Sequence, residues 1–178
     1  MSAVQRAITA GIIIPFILIF DQVTKWMILD TAALNGLNCL DRSQPCGQLE
    51  FSPIFKLSMV WNRGMSFGAL QSEGVMRWIL VIMTVAIAIG FAVWLFRATG
   101  KVTVLALSLV VAGAIGNVID RVRFGAVVDF IDVTSWLPIF PWVFNVADSA
   151  ITVGAILLLA DQLIFSKDQD GVRANSEV

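Results

Sequence analysis

Apolar and polar positions alternate along this chain on two length scales. On the longer one, predominantly apolar stretches occupy residues 7–29, 75–97, 102–122 and 143–165. Each is long enough to cross a hydrocarbon layer of about 30 Å as a helix. The first could be mistaken for a secretory leader, but its helical pattern runs on through Asp21, Gln22, Lys25 and Trp26 with no small-residue cleavage site. Pro15 is tolerable there, because neighbouring helices can re-satisfy the freed backbone. On the shorter scale, Leu49, Phe51, Phe55, Leu57, Met59 and Trp61 fall on alternate positions, predicting strands with one apolar face, broken near Pro53. The predicted fold class is a membrane all-α bundle of four transmembrane helices, with a small extramembrane β-rich segment (about 30–72) between spans one and two. Residues 1–166 form one domain in this reading, and the polar tail 167–178 is expected to be unstructured.

Composition supports the long-scale pattern. The 178 residues are 58% hydrophobic and 14% charged, with a mean hydropathy of +0.85, too apolar for an ordinary soluble domain. Net charge is −1 and the basic residues are scattered, so no nucleic-acid surface is indicated. The absence of His removes His-based triads, proton shuttles and His metal ligands; no metal or cofactor is expected. Cys39 and Cys46 share one polar loop, where they either pair as a disulfide in an oxidising compartment or remain unrelated thiols.

Candidate chemistry lies in the polar residues inside or beside the spans. A charge near the bilayer centre costs about 2.5–3.5 kcal/mol on insertion scales, so such residues tend to face a bundle interior and have a task. With four alternating spans, Asp21, Asn62, Asn117, Asp120, Asp129 and Asp148 all fall at one end of the bundle. Asp21 and Lys25 are one helical turn apart and can neutralise each other. Asp120 is read as a salt-bridge partner of Arg121 or a helix-end contact, and Asp30 and Asp161 as markers of helix ends. Trp26, Trp61, Trp78, Trp136 and Trp142 are expected as interfacial anchors at that same end, with Trp94 at the other. Ala112, Gly113, Ala114 and Gly116 give span three a smooth face for close helix packing. Counting basic residues in the connections does not favour cytoplasmic termini, but several of those on the other side sit in the candidate site or at span ends, so the rule carries little weight here.

Five motifs occur in order: Asp21-Gln22 with Lys25; Asn62-x-Gly64-x-Ser66-Phe67-Gly68; Gly113-x-x-Gly116-Asn117-x-x-Asp120-Arg121; Val127-Val128-Asp129-Phe130; and Phe144-Asn145-x-Ala147-Asp148. Together they resemble the successive motifs of bacterial lipoprotein signal peptidase, or signal peptidase II, with one departure: Ala112 stands where the family often has a second glycine. The resemblance implies an aspartic peptidase of the bacterial inner membrane, termini cytoplasmic and site near the periplasmic face. It implies Asp129 and Asp148 as the catalytic pair, Asn62, Gly64, Asn117, Arg121 and Asn145 as residues that line or support the site, and Asp21 and Lys25 flanking it. The implied partners are diacylglyceryl-modified prolipoproteins, cut before the lipidated Cys, and membrane lipids; a monomer is expected. Residues 49–61 would be the family's extramembrane cradle.

The chemistry is coherent without the name. Two carboxylates held close cannot both ionise comfortably, so one keeps a proton, and the pair can serve as general base and general acid toward water and a peptide. A transporter would be expected to show internal repeats, and none is found. A purely structural subunit would not need both Asp129 and Asp148. A Ser-Lys peptidase would have only Thr24-Lys25 or Lys56-Ser58 to work with.

Overall fold

A computed structural model describes residues 1–31, 47–52, 55–64, 75–133 and 142–176, with side chains to Leu163. Four helices, α1 (Ala3–Asp30), α2 (Val75–Arg97), α3 (Lys101–Phe124) and α4 (Val146–Ser176), are long and apolar enough to cross a membrane. One antiparallel sheet sits at a single end of them, in the order β1 (Gln48–Ser52), β2 (Phe55–Asn62), β3 (Val127–Asp132) and β4 (Val143–Phe144).

α1 begins four residues before the apolar stretch because Ser2 and Gln5 form a reciprocal cap, which satisfies amides that the first turn leaves orphaned. α4 extends to Ser176, so residues 167–176 of the tail expected to be unstructured are helical. Lys167, Gln169, Arg173 and Ala174 are good helix formers, and extending an existing helix avoids the cost of nucleation.

α3 is the central helix and packs on each of the other three. Its small residues set how close they come. A Cβ on Gly113 would lie 2.3 Å from the Ala147 carbonyl oxygen, and one on Gly116 would lie 2.7 Å from a carboxylate oxygen of Asp21. At its far end Gly125 takes a left-handed φ of 77° and closes the helix through its N–H to the Arg121 carbonyl. Arg77 of α2 donates to the Arg121 and Val122 carbonyls, occupying acceptors a helix C-terminus leaves open.

That turn launches β3, a strand the sequence reading treats as loop. The sheet therefore recruits the connection between α3 and α4 as well as that between α1 and α2. β3 pairs with β2 through Val60 opposite Asp129 and Trp61 opposite Val128. Its Val128 and Phe130 pack with Met59 and Ile28, and with the half-buried Leu49, Leu57 and Trp61, so most of the predicted apolar strand face is core. Phe51 and Phe55 are the exception, paired with each other and exposed. Trp61 meets Phe124 edge-on at 5.6 Å, which makes it a core residue rather than an interfacial anchor. Trp26, Trp78 and Trp142 are exposed at this end. Residues 143 to 145, expected inside span four, form β4 and the α4 cap, because Val143 and Phe144 pair with Asp132 and Ile131. Asp161 lies within α4 rather than at its end and accepts a 2.6 Å hydrogen bond from Thr103 of α3. Cys39, Cys46, Ser66, Phe67, Gly68 and Trp136 lie outside the described residues.

Candidate active site

Two polar clusters lie side by side where α1, α3, β3 and α4 meet. In the first, the Lys25 ammonium is 2.8 Å from both Asp21 and Asp120, and all three side chains are buried. Gln22 donates to both carboxylates at 3.1 Å. Asp21 also accepts from the Ala147 amide in the first turn of α4, and Asp120 from the Val128 amide of β3. Asp120 thus pairs with Lys25 rather than with Arg121. Adjacent helical residues do not face each other, which is why sequence adjacency misleads here. Gln22, not singled out as a support residue from sequence, shares the job of fastening α1 to α3; its place beside Asp21 was the available signal.

The second cluster holds Asp129 and Asp148. Strand alternation puts Asp129 on the face of β3 opposite Val128 and Phe130. There its two oxygens accept from Asn62 of β2 at 2.9 Å and from Asn145 at 2.7 Å. Asp148 accepts from Asn117 of α3 at 2.8 Å and from the Asn145 amide at 3.3 Å. In return the Asn145 side-chain oxygen takes the Asp148 amide at 2.8 Å, so Asn145 caps α4 while its own amide nitrogen holds Asp129. One residue therefore fixes both carboxylates. Asn117 ties the clusters together, since its oxygen accepts from Lys25 and Asn145, each at 3.4 Å. Gly64 stands one step back, donating its amide to the Asn62 oxygen at 3.1 Å and so fixing which way that amide points.

The two clusters differ in charge. No Lys or Arg makes a salt bridge to Asp129 or Asp148 among the described residues. Burial first, and then the neighbouring Asp148 charge, push the Asp129 carboxyl up to about 8, although the Asn62 and Asn145 hydrogen bonds and the Lys25 cation oppose this. Asp148 is only half-buried and sits in the first turn of α4. Arg121 lies within the field of Asp148, Asp129 and Asp120. Its buried Nε–H has no hydrogen-bond acceptor among the described residues.

All nine residues singled out from sequence, Asp129, Asp148, Asn62, Gly64, Asn117, Arg121, Asn145, Asp21 and Lys25, are thus found in or around these two adjoining clusters. The family model for signal peptidase (SPase) II matches residues 13–164, a stretch that contains all of them. The chain belongs to the signal peptidase II family. Lipoprotein signal peptidases are 43% identical to it in Caulobacter vibrioides, over 85% of this chain and 84% of that one. In Rhodopseudomonas palustris the figure is 39%, over 92% and 95%. A bacterial membrane enzyme solved by the in meso method at 2.3 Å superposes with a TM-score of 0.74 at 32% identity, covering 90% of each chain. Membership makes this a multi-pass membrane peptidase of the lipoprotein-processing class, with hydrolysis as its chemistry.

Proposed function

We propose that the chain cleaves diacylglyceryl-modified prolipoproteins on the N-terminal side of the lipidated Cys, by an aspartic mechanism. The observation that carries this reading is the Asp129–Asp148 pair, oriented by the single residue Asn145 and left without a salt-bridged cation. Asp129, with its carboxyl pushed up, holds a proton at neutral pH. Asp148 takes a proton from water as its oxygen attacks the scissile carbonyl, and Asp129 gives its proton to the carbonyl oxygen. On collapse the hydroxyl returns that proton to Asp129, and the departing amine takes the one held by Asp148.

A signal sequence is apolar and membrane-bound, which suits a site at one end of four spans. We place the chain in the bacterial inner membrane with termini cytoplasmic and the carboxylates near the periplasmic face. We take the chain to act as a monomer. The test is to incubate the purified protein in detergent with a diacylglyceryl-modified precursor and, separately, with its unmodified form. The expected product begins at the lipidated Cys, forms only from the modified precursor and forms equally with a chelator present. Equal cleavage of the unmodified form, or loss of activity with chelator, would overturn the reading.

A further inference from the structure

At the end of the bundle away from the carboxylates, α1 is held by Met1 and Arg6, which donate to the Thr99 and Ala98 carbonyls, and packs only partly on its neighbours. Its fully buried residues are Asp21, Lys25 and Ile28, all in its last third, whereas in its apolar part residues such as Ala10 and Ile14 are only half-buried against the neighbouring core. Between α1 and α2, with α3 as its floor, lies a cleft of about 480 Å³. Gly11 and Pro15 line its α1 wall, Leu95 and Phe96 its α2 wall and Val111 its floor, with Arg6 at its mouth. From Arg6 to Pro15 the cleft runs about 14 Å along the helix. That is close to the depth of one leaflet, half of a hydrocarbon core of about 30 Å.

Arg6 bonds the Ala98 carbonyl at 2.7 Å through one nitrogen, leaving most of the five guanidinium donors uncommitted. Arg97 and Lys101 add positive charge at the same end, where Asp161 is already engaged by Thr103. An apolar slot one leaflet deep, topped by a guanidinium, matches an acyl chain joined to a phosphate.

We propose that this cleft binds one anionic phospholipid, its acyl chain between α1 and α2 and its phosphate on Arg6. The assignment rests on reading the four helices as membrane spans and is independent of the carboxylate chemistry. A signal sequence is the less suitable occupant, because the positively charged segment that begins it would meet the basic rim. Filling the cleft adds to the partial packing of α1 and leaves the Lys25 cluster at its other end undisturbed.

The test uses the full chain in detergent, titrated with phosphatidylglycerol or phosphatidylcholine and followed by native mass spectrometry. Wild type is expected to bind one phosphatidylglycerol saturably, and phosphatidylcholine roughly tenfold more weakly, because both lipids offer a phosphate but the choline cation is repelled by the basic rim of Arg6, Arg97 and Lys101. Arg6→Gln should lose that preference. Gly11→Phe fills the cleft, and because a Cβ at Gly11 meets nothing within 4 Å the variant should fold; it should lose the bound lipid while cleaving precursor at the wild-type rate. Equal binding of the two lipids, retention of phosphatidylglycerol by Gly11→Phe, or its displacement by a signal peptide would overturn the proposal.

Discussion

The two carboxylate pairs at the site end of the bundle invite comparison, because each consists of two buried or half-buried Asp residues in nearly the same place. Asp21 and Asp120 have Lys25 between them, 2.8 Å from each. Asp129 and Asp148 have amides where the first pair has an ammonium. A paired cation makes a buried carboxylate structurally useful and chemically quiet. Amides hold a carboxylate in position without neutralising it, so close approach is relieved by keeping a proton, and a group that keeps a proton near neutral pH can also pass it on.

The comparison can be broken most severely at the second pair. Asp129→Asn and Asp148→Asn should each lower cleavage of a lipid-modified precursor by at least about 10³-fold, toward the upper range for general acid–base groups. They should not unfold the protein. Asp129 has its carboxyl raised in the fold, so it withdraws stability as pH rises from about 4, where the unfolded group ionises, to about 8, where the folded one does. Asp129→Asn should therefore melt higher than wild type at pH 8, by an amount that shrinks toward pH 5. Thermal melts in detergent at both pH values check this.

At the first pair the expected effect is on folding. Lys25→Met leaves two buried carboxylates unpaired, a loss of about 3–5 kcal/mol, seen as a sharp fall in melting temperature. Adding Asp21→Asn and Asp120→Asn to it should recover most of that loss, because the uncompensated charges are gone. Failure to recover would mean that Lys25 stabilises the fold by more than neutralising these two charges, for instance through its bond to Asn117.

Asn145 belongs to the second cluster but carries no charge. Asn145→Ala removes the α4 cap and the bond to Asp129 together. Precursor turnover should drop by about 10²-fold from misplacement, with a stability loss of about 1 kcal/mol from the cap. Smaller still is Arg77→Met, which removes a donor from the Val122 carbonyl and one of the two donors on the Arg121 carbonyl. It should lower stability by about 1 kcal/mol, read as a shift in the denaturation midpoint, with cleavage reduced only several-fold.

Where sequence was informative, a short-range physical cause lay behind it. Four apolar stretches of membrane-crossing length define the bundle, and their alternation places Asp21, Asn117, Asp129 and Asp148 at one end without any knowledge of packing. Residues 49–61 show their period of two because their apolar side packs on Ile28 and Val128. β3 was hidden because it is buried on both faces, so Val127 to Asp132 shows no clean alternation of apolar and polar. The partner of Asp120 was hidden too, since Lys25 is distant in sequence and only the α1–α3 packing brings them together. The double role of Asn145 could not be read from its motif, because it depends on β3 passing beside the start of α4.

The central claim is that Asp129 holds the proton of a pair that Lys25 does not neutralise. The most direct measurement is kcat/KM for a lipid-modified precursor as a function of pH, with wild-type protein in detergent and folding monitored at each point. Activity should fall as pH rises through about 8, as Asp129 loses the proton it must donate. Undiminished activity to pH 10 by folded protein would contradict that assignment.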